Sequence, residues 1–124
     1  MQLTPHFSLA ELQCKCGCTT PTQIVAELKK TAVFLEKVRV WLGNRSMTVN
    51  SGYRCSKHNA AVGGEPNSFH MRGYACDFTV AGLTPQQAQD YLDRKGSPVE
   101  NSGLGRYGKF THIDRRNGRA RWKG

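Results

Sequence analysis

The sequence predicts an α+β fold in which helices pack on a small, mainly antiparallel sheet. Three features carry that expectation: a long apolar stripe between Pro21 and Leu42, period-2 alternation in Met47–Ser51 and Ala75–Val80, and a separately capped helix opening at Thr84-Pro85. At 124 residues the chain reads as one domain, 1–124, long enough for a single core. Its 38% hydrophobic and 22% charged residues exclude a disordered or fibrous chain. No apolar run is long enough to span a bilayer, and no internal repeat is visible.

Taken in order, Ser8 caps a short helix, with Glu11 completing a capping box and Phe7 stapled against Leu12. A cysteine-rich loop follows. Thr20 is then expected to cap the long helix, with Pro21 at its first position, where a missing N–H matters least. Ile24, Leu28, Leu35, Val38 and Leu42 form its apolar face, joined by Val25 and Ala32, and Gly43-Asn44 stops it. Met47–Ser51 reads as a strand and Ser56 to Val62 as one or two helical turns. Gly63-Gly64-Glu65-Pro66-Asn67 cannot be regular, which leaves Ser68 and His70 on a loop.

Along Ala75–Val80, Asp77 and Thr79 point to one side and Cys76, Phe78 and Val80 to the other. Thr84 and Gln87 form a second capping box around Pro85, opening a helix to Arg94 that buries Ala88, Tyr91 and Leu92. Lys95-Gly96 ends it. Two last strands, Gly103 to Tyr107 and Lys109 to Asp114, bring Phe110, His112 and Asp114 to one face.

Eighteen Lys and Arg against nine Asp and Glu give a net charge of +9, and Arg115, Arg116, Arg119, Arg121 and Lys123 crowd the C-terminal end. That balance suits nucleic acid, anionic lipid or anionic cell-wall polymer, and equally a solvated basic tail. Nucleic acid is disfavoured, because few aromatics interleave with these arginines. The N-terminus shows neither the basic nor the apolar region of a secretory signal, so synthesis in the cytoplasm is expected. Five cysteines cannot all pair with one another. The run Cys14-Lys-Cys16-Gly-Cys18 is tighter than common zinc knuckles and has no histidine close behind, so a structural zinc there is the lesser reading and free thiols of a reducing compartment the preferred one. A bridge from this run to Cys55 or Cys76 is conceivable, and Cys76 itself reads as core.

The chemistry centres on Ser68 to Asp77. His70 and Asp77 stand seven positions apart across a glycine, and His112 follows on a late strand. Two neutral imidazoles and one carboxylate suit a catalytic zinc, which keeps a fourth position for water and lowers its pKa towards neutrality. Spacing alone leaves a second reading equally open, in which both histidines are ordinary polar residues.

Ser51-Gly-Tyr-Arg54 with His58-Asn59, Val62-Gly-Gly64, Asn67-Ser-Phe-His70, Gly73-Tyr-Ala-Cys-Asp77, Gly103-Leu-Gly-Arg-Tyr107 and Phe110-Thr-His-Ile-Asp114 together resemble the zinc D-alanyl-D-alanine carboxypeptidase family. That family includes phage L-alanyl-D-glutamate endopeptidases and shares its fold with the hedgehog signalling domain. The likeness covers nearly the whole chain, including the Phe7 to Leu12 opening and the cysteine-rich loop.

The resemblance implies a hedgehog/DD-peptidase-like fold and a zinc ion bound by His70, Asp77 and His112. It also turns Arg54 into the pocket to hold a substrate carbonyl or the oxyanion formed on attack. A structural pair with a carboxylate is the alternative for Arg54. Ser68 either contacts substrate or a ligand, or bonds local backbone. Many members place Glu or Asp three residues before the last histidine, where this chain has Lys109, which cannot accept a proton at neutral pH. Asp114, on the same strand face as His112, is the candidate general base; the competing reading makes it a partner that orients a ligand histidine or Arg54. His58 is expected in packing or at the substrate rim.

The expected function is a zinc-dependent peptidase that hydrolyses an amide bond in peptidoglycan stem peptides, as an endolysin-like endopeptidase or a D,D-carboxypeptidase. A phage or prophage lysis enzyme, monomeric and without a membrane span, fits the lack of a visible signal and the small size. Its basic C-terminus would then hold anionic wall polymer. The alternative is a non-catalytic, zinc-stabilised wall-binding or virion structural module, which Lys109 keeps open.

Overall fold

In the computed structural model, which describes residues 1–124, the chain opens with a hairpin that the sequence does not announce: β1 (Gln2–Thr4) pairs antiparallel with β2 (Phe7–Ser8). Strands this short carry no readable alternation. Ser8 then caps α1 (Leu9–Leu12): its hydroxyl accepts from Glu11 N at 3.3 Å, and Glu11 Oε1 accepts from Ser8 N at 3.0 Å. Phe7 and Leu12 are both buried in the core.

The long helix α2 (Thr22–Trp41) begins one residue later than expected. Pro21, not Thr20, occupies the capping position; its ψ of 147° is extended, and its carbonyl accepts from Ile24 N and Val25 N. No side chain caps this end. Leu28, Ala32, Leu35 and Val38 are buried as predicted, together with Thr31, whose hydroxyl donates to Gly73 O at 2.5 Å. Gly43 and Asn44 take left-handed φ values of 92° and 59° and stop the helix.

The next elements are β3 (Met47–Ser51), α3 (Ser56–Ala61) and a 3₁₀ turn, Phe69–Arg72, in place of the loop expected around His70. That turn forms because Ser68 Oγ accepts from His70 N at 3.1 Å, and Gly73, at φ 73°, closes it. After β4 (Ala75–Val80) comes α4 (Pro85–Leu92), with the expected capping box at Thr84 and Gln87. It ends at Leu92 rather than Arg94, and Tyr91, expected inside, is 40% exposed. Gln89 is buried on this helix because its amide donates to Tyr107 O at 3.0 Å and Phe110 O at 3.1 Å, fixing the turn of the following hairpin.

That hairpin is β5 (Gly103–Arg106) and β6 (Thr111–Asp114), and the chain finishes in β7 (Ala120–Lys123). The main sheet has the order β3-β4-β6-β5-β7, antiparallel throughout except for the β5–β7 pair. It is an α+β arrangement with helices on a mostly antiparallel sheet. Cys76, Phe78 and Val80 of β4 and Ile113 of β6 join the core with Leu28, Leu35 and Leu92, so their alternate neighbours Asp77 and His112 face away from it.

β7 replaces the solvated basic tail read from the sequence. Arg121 Nε lies 2.7 Å and Arg119 Nη2 3.1 Å from Asp93 Oδ1; Arg115 pairs with Glu27 at 2.9 Å, and Arg116 with Asp114 at 2.7 Å. Burial alone would raise the pKa of Asp93, but hydrogen bonds from Arg121 and Arg106 hold it below its ordinary value. Of the five clustered cations, only Lys123 has no carboxylate partner within the chain. No helix is long and apolar enough to cross a membrane.

Candidate metal centre

Strand register assembles two-thirds of the site. Asp77 on β4 is the direct partner of His112 on β6, and the 3₁₀ turn before β4 delivers His70 to the same place. All three residues are buried, and their ligand atoms lie within 4.8 Å of one another. Asp77 Oδ1 is 2.8 Å from His112 Nδ1 and 3.3 Å from His70 Nε2.

Hydrogen bonding fixes which nitrogen of His70 carries the proton. His70 Nδ1 is 2.7 Å from Gly52 O, a group that only accepts, so Nδ1 donates and Nε2 keeps its lone pair. Nε2 is buried without a hydrogen-bond partner. His112 stands between two carboxylates, with Nε2 2.9 Å from Asp114 Oδ2 and Nδ1 2.8 Å from Asp77 Oδ1; when its proton is given to Asp114, the Nδ1 lone pair faces Asp77 Oδ1. In that tautomer three lone pairs face one another, an arrangement that a cation would relieve. A second proton on His112 would serve, and burial, which lowers its pKa, is outweighed by Asp114 and Asp77, which raise it. A metal ion satisfies all three donors at once, and two neutral imidazoles with one carboxylate are a zinc ligand set.

Asp114 is wholly buried beneath His112. Arg116 grips it with Nε on Oδ1 at 2.7 Å and Nη2 on Oδ2 at 2.8 Å, and the Arg116 backbone N–H donates to Oδ1 at 3.2 Å. Burial would raise its pKa, but Arg116 and His112 hold it well below the usual carboxylate range. Gly103 on β5 makes room for this carboxylate: it is the strand partner of Asp114, and an added Cβ would lie 2.5 Å from Asp114 Cγ.

A cleft of about 900 Å³ opens over the three ligands. Arg54 lines it, half-buried, with no carboxylate paired to it and its Nε buried without a partner. The structural ion pair considered for Arg54 is thus absent. Ser68 also lines the cleft, but its hydroxyl accepts from His70 N and so orients the ligand turn. His58 and Glu65 also line the cleft.

Two aromatic residues of the site escape sequence reading. The Trp122 ring centroid is 5.1 Å from that of His112, with Arg116 stacked over the indole at 4.9 Å, and Trp122 Nε1 donates to Tyr107 Oη at 3.0 Å. Gly105, opposite His112 in the sheet, is what admits the indole, since an added Cβ would meet Trp122 Cε2 at 2.7 Å. The clue available in the sequence was Gly105, a small position in a strand with a Trp later in the chain.

The model of one protein family, Peptidase M15, matches residues 5–114. The chain belongs to the peptidase M15 family. M15 peptidases are in general zinc-dependent, and the matched stretch contains Arg54, His70, Asp77, His112 and Asp114. In this M15 chain β7 and Trp122 lie beyond the matched residues. A search of curated proteins finds no match to the chain.

Proposed function

We propose that this chain is a zinc metallopeptidase that hydrolyses an amide bond in peptidoglycan stem peptides. The observation that carries the reading is the convergence of the His70, Asp77 and His112 ligand atoms in an open cleft, beside an arginine with no carboxylate partner. Bound zinc supplies the Lewis acidity that activates water and polarises the scissile carbonyl. The protein's own part is orientation. Gly52 O and Asp114 hold the two imidazoles with their lone pairs forward, and Arg54 offers fixed donors to the carbonyl oxygen as charge develops on it.

Asp114 acts in this scheme as a positioning residue. With no exposed surface and both oxygens engaged, it has no path to a water in the cleft, which favours the orienting role over the general base. Apart from Asp77, Glu65 is the only acidic side chain lining the cleft, and we assign it proton transfer. Replacing Glu65 by Gln is expected to lower kcat about 10²- to 10⁴-fold, the usual span of general acid–base catalysis, with zinc content unchanged.

Lys15, Arg54 and Lys123 line the cleft without acidic partners, which suits the carboxylates of a stem peptide. The net charge of +9 supports retention on anionic wall polymer, as an endolysin-like, phage- or prophage-type enzyme acting after release would need. Peptidoglycan incubated with the protein, with and without chelator, tests the reading by mass spectrometry of new amine termini. Chelator-sensitive cleavage, restored by zinc, is expected, and the bond cut distinguishes endopeptidase from carboxypeptidase. Bound zinc with no new amine would sink the peptidase reading and leave the wall-binding module. Arg54→Ala is expected to lower kcat by about 10²- to 10³-fold while zinc remains bound.

A further inference from the structure

The cysteine-rich loop between α1 and α2 does not hold scattered thiols. Cys14, Cys16 and Cys18 meet Cys55, which caps α3 from the far side of β3, and the four sulfur atoms all lie within 4.8 Å of one another. Cys14 Sγ is 3.3 Å from Cys16 Sγ and 3.8 Å from Cys55 Sγ, and Cys16 Sγ is 3.7 Å from Cys55 Sγ. A disulfide needs about 2.05 Å, and none of the cysteines is paired in one. Four sulfurs at the usual zinc distance of about 2.3 Å form a tetrahedron with edges of roughly 3.8 Å. The two separations to Cys55 match those edges, and the Cys14–Cys16 separation is shorter. The tight Cys-Lys-Cys-Gly-Cys spacing works because Gly17 turns at φ 81°, with open space on the side where a Cβ would stand.

The surroundings suit thiolates. Cys55 N–H donates to Cys14 Sγ at 3.5 Å and His58 N–H to Cys55 Sγ at 3.4 Å, the kind of backbone contact that steadies metal-bound sulfur. Cys76, the fifth cysteine, is fully buried in β4 and stands apart from the cluster.

We propose that Cys14, Cys16, Cys18 and Cys55 bind a structural zinc ion, separate from the histidine–aspartate centre. Loading exchanges the four S–H protons for one Zn²⁺ and releases those protons to solvent, with no change of oxidation state. The ion ties a loop without regular structure to the start of α3. It thereby fixes one wall of the cleft, because Lys15 and Arg54, the neighbours of Cys14 and Cys55, both line it. The assignment does not rest on the peptidase reading.

Metal analysis of protein purified under reducing conditions tests it. Two zinc ions per chain are expected for the wild type. The pair Cys16→Ser and Cys18→Ser should retain one, and the pair His70→Ala and His112→Ala should retain the other. Cobalt substitution adds a signature: sulfur-to-cobalt charge-transfer absorption, kept in the histidine variant and lost in the cysteine variant. Unchanged zinc content in the cysteine variant would overturn the proposal, as would an absent charge-transfer band in the wild type. If the cysteine variant fails to fold, the native wild type decides. Exposed Cys16 should resist a thiol reagent until chelator is added, and immediate reaction would overturn the assignment.

Discussion

Replacing Asp114 by Asn is expected to weaken zinc binding at the His70–Asp77–His112 centre by about 10- to 100-fold, the usual effect of removing a carboxylate behind a ligand histidine. The cause is the 2.9 Å contact between His112 Nε2 and Asp114 Oδ2, which selects the tautomer with Nδ1 free to bind. An asparagine satisfies fewer of the donors now aimed at Asp114. Arg116 Nε, Arg116 Nη2, the Arg116 N–H and His112 Nε2 all point at two oxygens, and an amide turns one of those acceptors into a donor. Breaking a fully buried ion pair costs about 3–5 kcal/mol, an upper bound here because Arg116 keeps 28% of its side chain in solvent. Chelator competition measures the affinity, and denaturant unfolding of metal-free protein the stability. Lost turnover with unaltered zinc affinity would instead return Asp114 to the role of base.

The same pair sets a pH dependence with a definite sign. The Asp114 carboxyl titrates below its ordinary value in the folded chain, because Arg116 and His112 outweigh a burial that would raise it. A depressed carboxylate contributes stability that is fully present above its unfolded pKa of about 3.9 and is lost as pH falls towards the folded value. The stability gap between wild type and Asp114→Asn should therefore be flat near neutrality and shrink in acid below about pH 4.

How far the site was legible follows from which residues depend on local pattern. Alternation places Asp77 and His112 on the outward face of their strands, and the register that sets them opposite each other obeys the same period; His70, on a turn, is favoured as a ligand only through the family resemblance. Alternation also puts Asp114 beside His112, but it does not say which ring nitrogen the carboxylate meets, and that detail separates an orienting residue from a base. The strand β7 was hidden because Ala120-Arg-Trp-Lys123 offers one large apolar side chain among cations. Its pairing depends on Gly103 and Gly105 across the sheet, and its one arginine is neutralised by Asp93, 28 positions from Arg121. Tyr91 and Gln89 exchanged places for a similar reason: hydrophobicity favours burying the tyrosine, but two hairpin carbonyls need the glutamine amide. The cysteine cluster was obscured by distance, since Cys55 stands 41 positions from Cys14 and inspection of the loop alone supplies three ligands.

Gly103→Ala should reproduce much of the Asp114→Asn phenotype without removing a single polar atom. The space a Cβ would fill is already occupied by the Asp114 carboxylate, with Cγ and Oδ2 each 2.5 Å away. That carboxylate cannot yield, because Arg116 holds it on one side and His112 on the other. The backbone at Gly103 is not left-handed, so alanine carries no conformational penalty there and the whole effect is steric. Overpacking of this kind costs about 1–3 kcal/mol, and the displaced Asp114 should loosen zinc through His112. Gly108→Ala, with nothing within 4 Å of its added Cβ, is the matched control and should be silent in both measurements. A double-mutant cycle decides the route. If Gly103 acts through Asp114, adding Gly103→Ala to Asp114→Asn should weaken zinc binding much less than it does in the wild type. Fully additive losses would mean that the glycine supports the site through β5 itself, and the carboxylate would no longer be the link between the sheet and the metal.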